Sequence, residues 1–242
     1  MELKKWFLYP SEAFDSFECF MSGELVTIVA ESNSGKTTFA MDIISRNADR
    51  WCKGFYINLE FPIETMWQSR WLWLNWKSKL NLTDIAPLTK EENDQMDAYV
   101  KQMLGKFDYY NEPNWIELDK LLQIISLKAM EGYDLIVIDT FSRIHGNLDA
   151  NTARTSQNRC MEQLQEIAQR LWLAIVVLHH TNRAWTFEGS QKIMDLSNVF
   201  IQIEKDIDAE DVEYRRYTLS KDKFINKKTL ELYYKWWEYL IG

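Results

Sequence analysis

Short, nearly unbroken apolar runs alternate with longer amphipathic stretches through the first three quarters of the chain. Leu25–Ala30, residues 54–59, Leu135–Asp139 and residues 174–179 have strand length and are rich in Val, Ile and aromatic side chains. Helical patterns separate them, over residues 38–48, 63–80 and 155–171. The last of these repeats Met161, Leu164, Ile167, Ala168 and Leu171 at helical spacing. Thr89 and Glu92 form a capping-box signature that opens a further helix to Leu104, and Asn114 starts another that runs through Met130 to Gly132. This alternation predicts an α/β fold with a mostly parallel, twisted central sheet flanked by helices. Further strands fall at residues 199–203 and 217–220. With residues 229–234, across the polar Asn226-Lys227-Lys228, the latter predicts a carboxyl-terminal antiparallel hairpin. The acidic stretch 204–213 reads as a solvated turn.

No repeat, low-complexity segment or Pro/Gly-rich linker interrupts the pattern, so residues 1–242 are expected to form a single domain. Residues 1–22 then form an amino-terminal extension and residues 63–118 a mainly helical insertion. The net charge of −8 argues against a surface that attracts nucleic acid as a whole, but leaves room for a local basic channel. Apolar residues make up 46 % of the chain, yet no run approaches the roughly 18 residues of a membrane span. The amino terminus lacks a small-residue cleavage site, and the expectation is a cytoplasmic protein with no membrane partner. The cysteines, Cys19, Cys52 and Cys160, are odd in number and unpaired in spacing. Neither a disulfide framework nor a zinc site is expected of them, and they read as core thiols. Several of the eleven tryptophans crowd residues 67–76. Trp67, Trp71 and Leu74 share one helical face, which reads as core packing, whereas Trp73 and Trp76 share another, for which a subunit or partner contact is the alternative.

The chemistry begins where the first strand ends. Ala30-Glu31-Ser32-Asn33-Ser34-Gly35-Lys36-Thr37-Thr38 runs from a strand into a helix, which is the context of a phosphate-binding loop. Backbone N–H groups of residues 32 to 37 would line one concavity, and Gly35 allows close approach of backbone to phosphate. Lys36 would bridge the outer phosphates and Thr37 would hold Mg²⁺, with the helix N-terminus aimed at the same anion. Ser32, Asn33, Ser34, Gly35, Lys36, Thr37 and Thr38 are therefore the expected nucleotide-binding residues, with ATP and Mg²⁺ the expected cofactors. Ala30 stands where such loops usually carry their first glycine.

Leu135–Asp139 ends in an acid that can hold a magnesium-bound water beside that loop, so Asp139 joins the nucleotide and metal set. Glu60 closes the second strand. It fits a cap or ion pair, and fits better a base that orients the attacking water. After the fourth strand, His179 and His180 point to opposite sides if strand geometry persists, so only one can face the nucleotide. Lys221 and Lys223 place two cations on one side of a strand, either as solvated edge lysines or as charge offered to the triphosphate of an adjacent subunit.

Taken together these residues resemble the RecA-type ATPase core of hexameric replicative helicases, of the DnaB and plasmid RepA kind. Ala30 and the Leu59-Glu60 pair are similar to the DnaB group, and the 68–113 segment, with Arg70 and Leu88-Thr89, resembles its helical insertion. Asp139-Thr140-Phe141-Ser142-Arg143 and Leu178-His179-His180-Thr181 are similar to RepA-like runs, as are Gly189-Ser190 and Asp195, although Glu188 replaces a usual basic residue. The resemblance implies Glu60 as catalytic base and His180 at the sensor position. It implies Lys221 and Lys223 acting across a subunit interface. It further implies single-stranded DNA contacts from the loops after the third and fourth strands, at Arg143, Arg183 and Trp185, with His145, Arg154, Phe187 and Lys192 nearby. The expected function is an ATP-hydrolysing motor of DNA replication, a homo-oligomeric ring, hexameric by resemblance, acting as a single-stranded DNA translocase or helicase. A recombinase-like ATPase, or an ATP-dependent helicase loader that does not unwind, are the alternatives.

Overall fold

The structure is a computed structural model that describes residues 5–83, 85–145, 153–181, 190–206, 214–222, 226–235 and 238–241. The side chains of 73, 79, 153–156, 190–191, 206, 214, 233–235 and 238–241 lie outside the description. Its strands are β1 (Trp6–Leu8), β2 (Cys19–Met21), β3 (Leu25–Ala30), β4 (Gly54–Asn58), β5 (Asp108–Asn111), β6 (Ile116–Glu117), β7 (Leu135–Asp139), β8 (Ile144–His145), β9 (Ala174–His180), β10 (Val199–Asp206), β11 (Tyr214–Lys221), β12 (Lys228–Lys235) and β13 (Glu238–Ile241). Its helices are α1 (Lys36–Ala48), α2 (Ile63–Leu74), α3 (Lys90–Leu104), α4 (Leu118–Met130), α5 (Ala153–Leu171) and α6 (Ser190–Leu196). Among the described residues no helix is long and apolar enough to cross a membrane.

The large sheet has the order β13-β12-β11-β10-β3-β9-β7-β4-β5. From β10 to β5 every pairing is parallel, and from β10 to β13 every pairing is antiparallel. The unbroken apolar runs follow from burial on both faces. Val26, Ile28, Leu135 and Val137 point into a core shared with α1, α2, α3 and the amino-terminal residues. Leu25, Val29, Ile136 and Ile138 point into a second core shared with α4 and α5. The buried Thr27 hydroxyl is matched by Ser197 Oγ at 2.6 Å, so the one polar side chain in β3 is hydrogen-bonded.

The expected helices and the parallel strand ladder are present, and three features differ from the sequence pattern. The pattern over 63–80 breaks after Leu74: Trp76 turns into the left-handed region (φ 59°), and a separate short 3-10 turn follows at Lys79–Leu82. Trp67 and Trp71 are buried on the expected face and Trp76 is 68 % exposed. The expected hairpin is the middle of a four-stranded antiparallel run, and β5 adds a strand to the opposite edge from within the 63–118 segment. The exposed Asp108-Tyr109-Tyr110-Asn111 gives no apolar run to announce that strand. Of the cysteines, Cys160 is buried in the core, while Cys19 and Cys52 are half-buried.

Residues 5–22 lie against the P-loop helix rather than apart from it. Asn47 of α1 accepts from the Leu8 N–H at 2.9 Å and donates to its carbonyl at 2.8 Å. Phe14 packs edge-on against Phe39 and Tyr217, with ring centroids at 5.1 and 4.9 Å. One aromatic ring thus joins the amino-terminal segment, the P-loop helix and β11.

Candidate nucleotide site

The carboxyl ends of β3, β4, β7 and β9 share one edge of the sheet, and there they border a cleft of about 550 Å³. Ser32, Asn33, Gly35, Lys36, Thr37 and Thr38 form its floor, and Glu60, His180 and Arg215 stand along its walls. Backbone conformation fixes the loop. Asn33 and Gly35 have φ of 62° and 91°, a region that glycine enters freely and asparagine tolerates. The space around Gly35 would admit a Cβ, so its φ and not crowding is what calls for glycine. Ser34 is buried, and the Arg215 Nε donates to its carbonyl at 3.3 Å. Phe39 N–H then bonds the Gly35 carbonyl at 2.9 Å and the helix begins.

Lys36 is buried and folded over its own loop, donating to the carbonyls of Ala30 (3.1 Å) and Glu31 (2.8 Å). Burial lowers its pKa, while Asp139 and Glu60 oppose that shift. Thr37 Oγ1 donates to Asp139 Oδ2 at 2.8 Å, and the phenol of Tyr56 donates to the same oxygen at 2.9 Å. Among the described residues, Asp139 Oδ1 is buried with no hydrogen-bond partner. A buried carboxylate oxygen without a partner, beside a hydroxyl on the P-loop, is the donor set that a hydrated hard cation takes. The residues present therefore fit Mg²⁺, with Thr37 and Asp139 as the ones that would hold it.

Glu60 follows β4 in a turn built by Asn58, which donates to Asn111 Oδ1 at 2.8 Å and to the Phe61 carbonyl. The Asn58 side-chain oxygen accepts the Glu60 N–H at 3.3 Å. Glu60 Oε2 lies 3.7 Å from His180 Nε2, near enough for charge attraction but longer than a hydrogen bond. His180 Nδ1 lies 3.4 Å from Ser32 Oγ, so this imidazole stands between the carboxylate and the P-loop. His180 holds Glu60 below the ordinary carboxylate range against the opposing effect of burial, and Glu60 is ionised at neutral pH. His179 takes the other side of the strand, 5.2 Å from the Phe141 ring, and burial lowers its pKa to about 4. The strand-parity expectation thus selects His180 for the cleft.

Other expected residues separate from this group. Lys221 pairs in register with Phe200, which pairs with Thr27, three residues before Ala30 and two strands from β3. Its Nζ donates to the carbonyls of Met194 (2.9 Å) and Asp195 (2.6 Å) at the end of α6. Arg143 follows β7 with its guanidinium 5.3 Å from the Trp115 ring, which in turn lies 4.1 Å from the His145 ring. Lys223, Arg183, Trp185, Phe187, Glu188 and Gly189 lie outside the described residues, and so does the Arg154 side chain. Tyr56 and Arg215 are among the residues at the site that no motif marks. Tyr56 sits inside an apolar strand, and its hydrogen bond to Asp139 across 83 residues gives no local signal. Arg215 is a cation in an edge-type sequence and gives none.

A larger open groove of about 730 Å³ lies between α4 and α5. Asp119, Leu127, Met130, Gln163, Glu166 and Arg170 are among the residues that line it.

Three solved structures show how widely this architecture is shared. An ATPase domain, solved on its own, superposes with a TM-score of 0.76 at 13 % identity, over 91 % of this chain and 86 % of that one. A DnaB-like replicative helicase, described with its interactions with primase, matches with a TM-score of 0.73 at 14 % identity. The match covers 90 % of this chain and 58 % of the helicase, so the chain spans little more than half of that protein. The RadB recombinase matches with a TM-score of 0.61 at 14 % identity, over 93 % and 94 %. At these identities the shared property is the fold, which is that of RecA-like ATPase cores and agrees with the resemblance read from the motifs. A search of curated proteins found no match to the sequence. A family model, described as an AAA domain, matches residues 17–184, from the amino-terminal 3-10 turn through both histidines. Spanning well over half of the chain, that match includes the P-loop, Glu60, Asp139 and His180, and the chain belongs to this AAA domain family, AAA_25.

Proposed function

We propose that this RecA-like ATPase is a ring-forming motor of DNA replication that translocates on or unwinds single-stranded DNA, with each ATP site completed by a neighbouring subunit. Residues 1–242 act as one domain in this reading, and the ring is a hexamer. The observation that carries it is the division of the expected catalytic residues between two places. Lys36, Thr37, Asp139, Glu60 and His180 converge on one cleft, whereas Lys221 starts about 10 Å back along the strand direction and two strands away. A lysine so placed does not serve its own P-loop, and with Lys223 it is offered to the next subunit's triphosphate.

Within one subunit the loop N–H groups and Lys36 would bind the phosphates, and Thr37 and Asp139 would hold Mg²⁺. When bound, the ion neutralises phosphate charge and polarises the terminal group. Glu60 accepts a proton from the attacking water, and its ionised state at neutral pH suits that task. His180, set between Glu60 and Ser32, senses the terminal phosphate and passes the change to the loop after β9. Arg143, Arg183 and Trp185 contact the DNA.

The DnaB-like helicase favours the ring, and the RadB recombinase supports a second reading, a single-stranded DNA-binding ATPase that forms filaments. Mass measurement with ATP and single-stranded DNA, beside a strand-displacement assay, tests the proposal. Closed rings with ATP-dependent displacement are expected. Filaments would favour the recombinase reading, and a monomer indifferent to DNA would favour an ATP-dependent loader.

A further inference from the structure

We infer that Tyr56 is a positioning residue for the cation site, acting through the Asp139 carboxylate. The inference rests on the nucleotide-site reading above and concerns a residue to which neither the motifs nor the family match gives a role. Tyr56 sits at the middle of β4, opposite Val137 of β7, and is fully buried. Its ring packs near Phe107, with centroids 6.1 Å apart, so the phenol enters the site from inside the core. The two hydrogen bonds on Asp139 divide its carboxylate: Oδ2 accepts from Thr37 Oγ1 and from Tyr56 OH, whereas Oδ1 is buried without a partner among the described residues. A carboxylate with one donor can swing about its terminal torsion and exchange oxygens. With two donors on one oxygen, from a helix start on one side and a neighbouring strand on the other, the torsion is fixed. The bare oxygen is then held in one direction.

That arrangement has two consequences for the ion. Oδ1 would stay available to the hydrated ion, and the Thr37 proton is directed to Oδ2, which would leave the Thr37 oxygen open to it. Partners that orient a metal's ligands without touching the metal affect its affinity by about 10- to 100-fold when removed. Tyr56 belongs to that class, and it is supplied by the strand whose end carries Glu60. Tyr56 thereby ties the Asp139 carboxylate on β7 to the strand that leads into the turn carrying Glu60.

The test is Tyr56→Phe, which keeps the ring and removes only the donor. Binding of a fluorescent ATP analogue is followed by anisotropy during a Mg²⁺ titration, and again in excess chelator. The Mg²⁺ half-saturation is expected to rise roughly tenfold, with metal-free nucleotide affinity within about twofold of the parent. In the Asp139→Asn background the same substitution should have little further effect, because Tyr56 acts through that carboxylate. An unchanged Mg²⁺ half-saturation, or an equal loss with and without Mg²⁺, would overturn the inference. If Tyr56→Phe does not fold, Tyr56→Met serves as a second donor-free variant. Failure of the parent protein itself to bind Mg²⁺-nucleotide would instead count against the nucleotide-site reading.

Discussion

Glu60 and His180 show how single residues at this site answer to their neighbours. The carboxylate is held below its ordinary range by the imidazole of His180, 3.7 Å away, and both lie at a cleft whose floor is the P-loop. Glu60→Gln keeps the shape of the side chain and removes its basicity, so nucleotide binding should persist while turnover falls by about 10²-fold or more. Steady-state ATPase rates beside nucleotide titration check this, and unaltered turnover would end the assignment of the base. His179 behaves oppositely although it is adjacent in sequence. Its folded pKa of about 4 lies below the ordinary value near 6.5, because burial disfavours the charged ring. Between those limits the unfolded chain binds a proton that the folded one does not, so stability falls as pH drops from about 6.5 to 4. The contribution reaches at most about 3 kcal/mol. Thermal unfolding of His179→Gln across that window should show a shallower decline than the parent. Much of this level was legible in the chain: Gly35-Lys36-Thr37, the acid ending β7, Glu60 and strand parity at the histidines together located the cleft. Tyr56 and Arg215 were not, because a hydrogen bond to Asp139 across 83 residues and one to Ser34 across 181 have no local signature.

Elements are legible in proportion to how much of their pattern is local. The Thr89–Glu92 capping box appears in both sequence and structure, with Thr89 N–H to Glu92 Oε2 at 2.8 Å and Glu92 N–H to Thr89 Oγ1 at 3.2 Å. β5 was not legible, since an exposed edge strand has no apolar face to reveal it. α2 was overrun for a related reason. Its apolar content continues past Leu74, and the stop comes from a left-handed Trp76 rather than from glycine or proline. The contact between β4 and α1 is set by a missing side chain. A Cβ on Gly54 would lie 2.7 Å from Ile44 Cγ1 and 3.0 Å from Ile44 Cδ1, and Ile44 is fully buried. Gly54→Ala should therefore destabilise by about 1–3 kcal/mol. Combined with Ile44→Ala it should cost clearly less than the sum of the two single changes, because the second change makes room for the first. Urea unfolding of the four proteins measures the coupling, and simple additivity would refute the clash.

For the whole molecule the decisive relation is between its two kinds of sheet. The parallel half presents the nucleotide cleft, and the antiparallel half carries Lys221 away from it, anchored on the carbonyls that end α6. If the site is shared, Lys221→Ala should lower the maximal ATPase rate of the assembled protein at least about tenfold while leaving nucleotide affinity within about twofold. Mixing that variant with Glu60→Gln protein should restore part of the rate, since some interfaces in a mixed ring then contain both intact groups. No recovery on mixing, with assembly confirmed by mass, would place the lysine outside the neighbouring site.

Arg215 ties the shape of the P-loop to a distant part of the chain. The guanidinium that holds Ser34 belongs to a strand made 181 residues later, and β10, the neighbour that completes the pairing of β3, is also made late. The conformation of the loop at Ser34 therefore answers to a side chain on β11, and a change at Arg215 reaches the loop through the Ser34 carbonyl rather than through any neighbour in sequence.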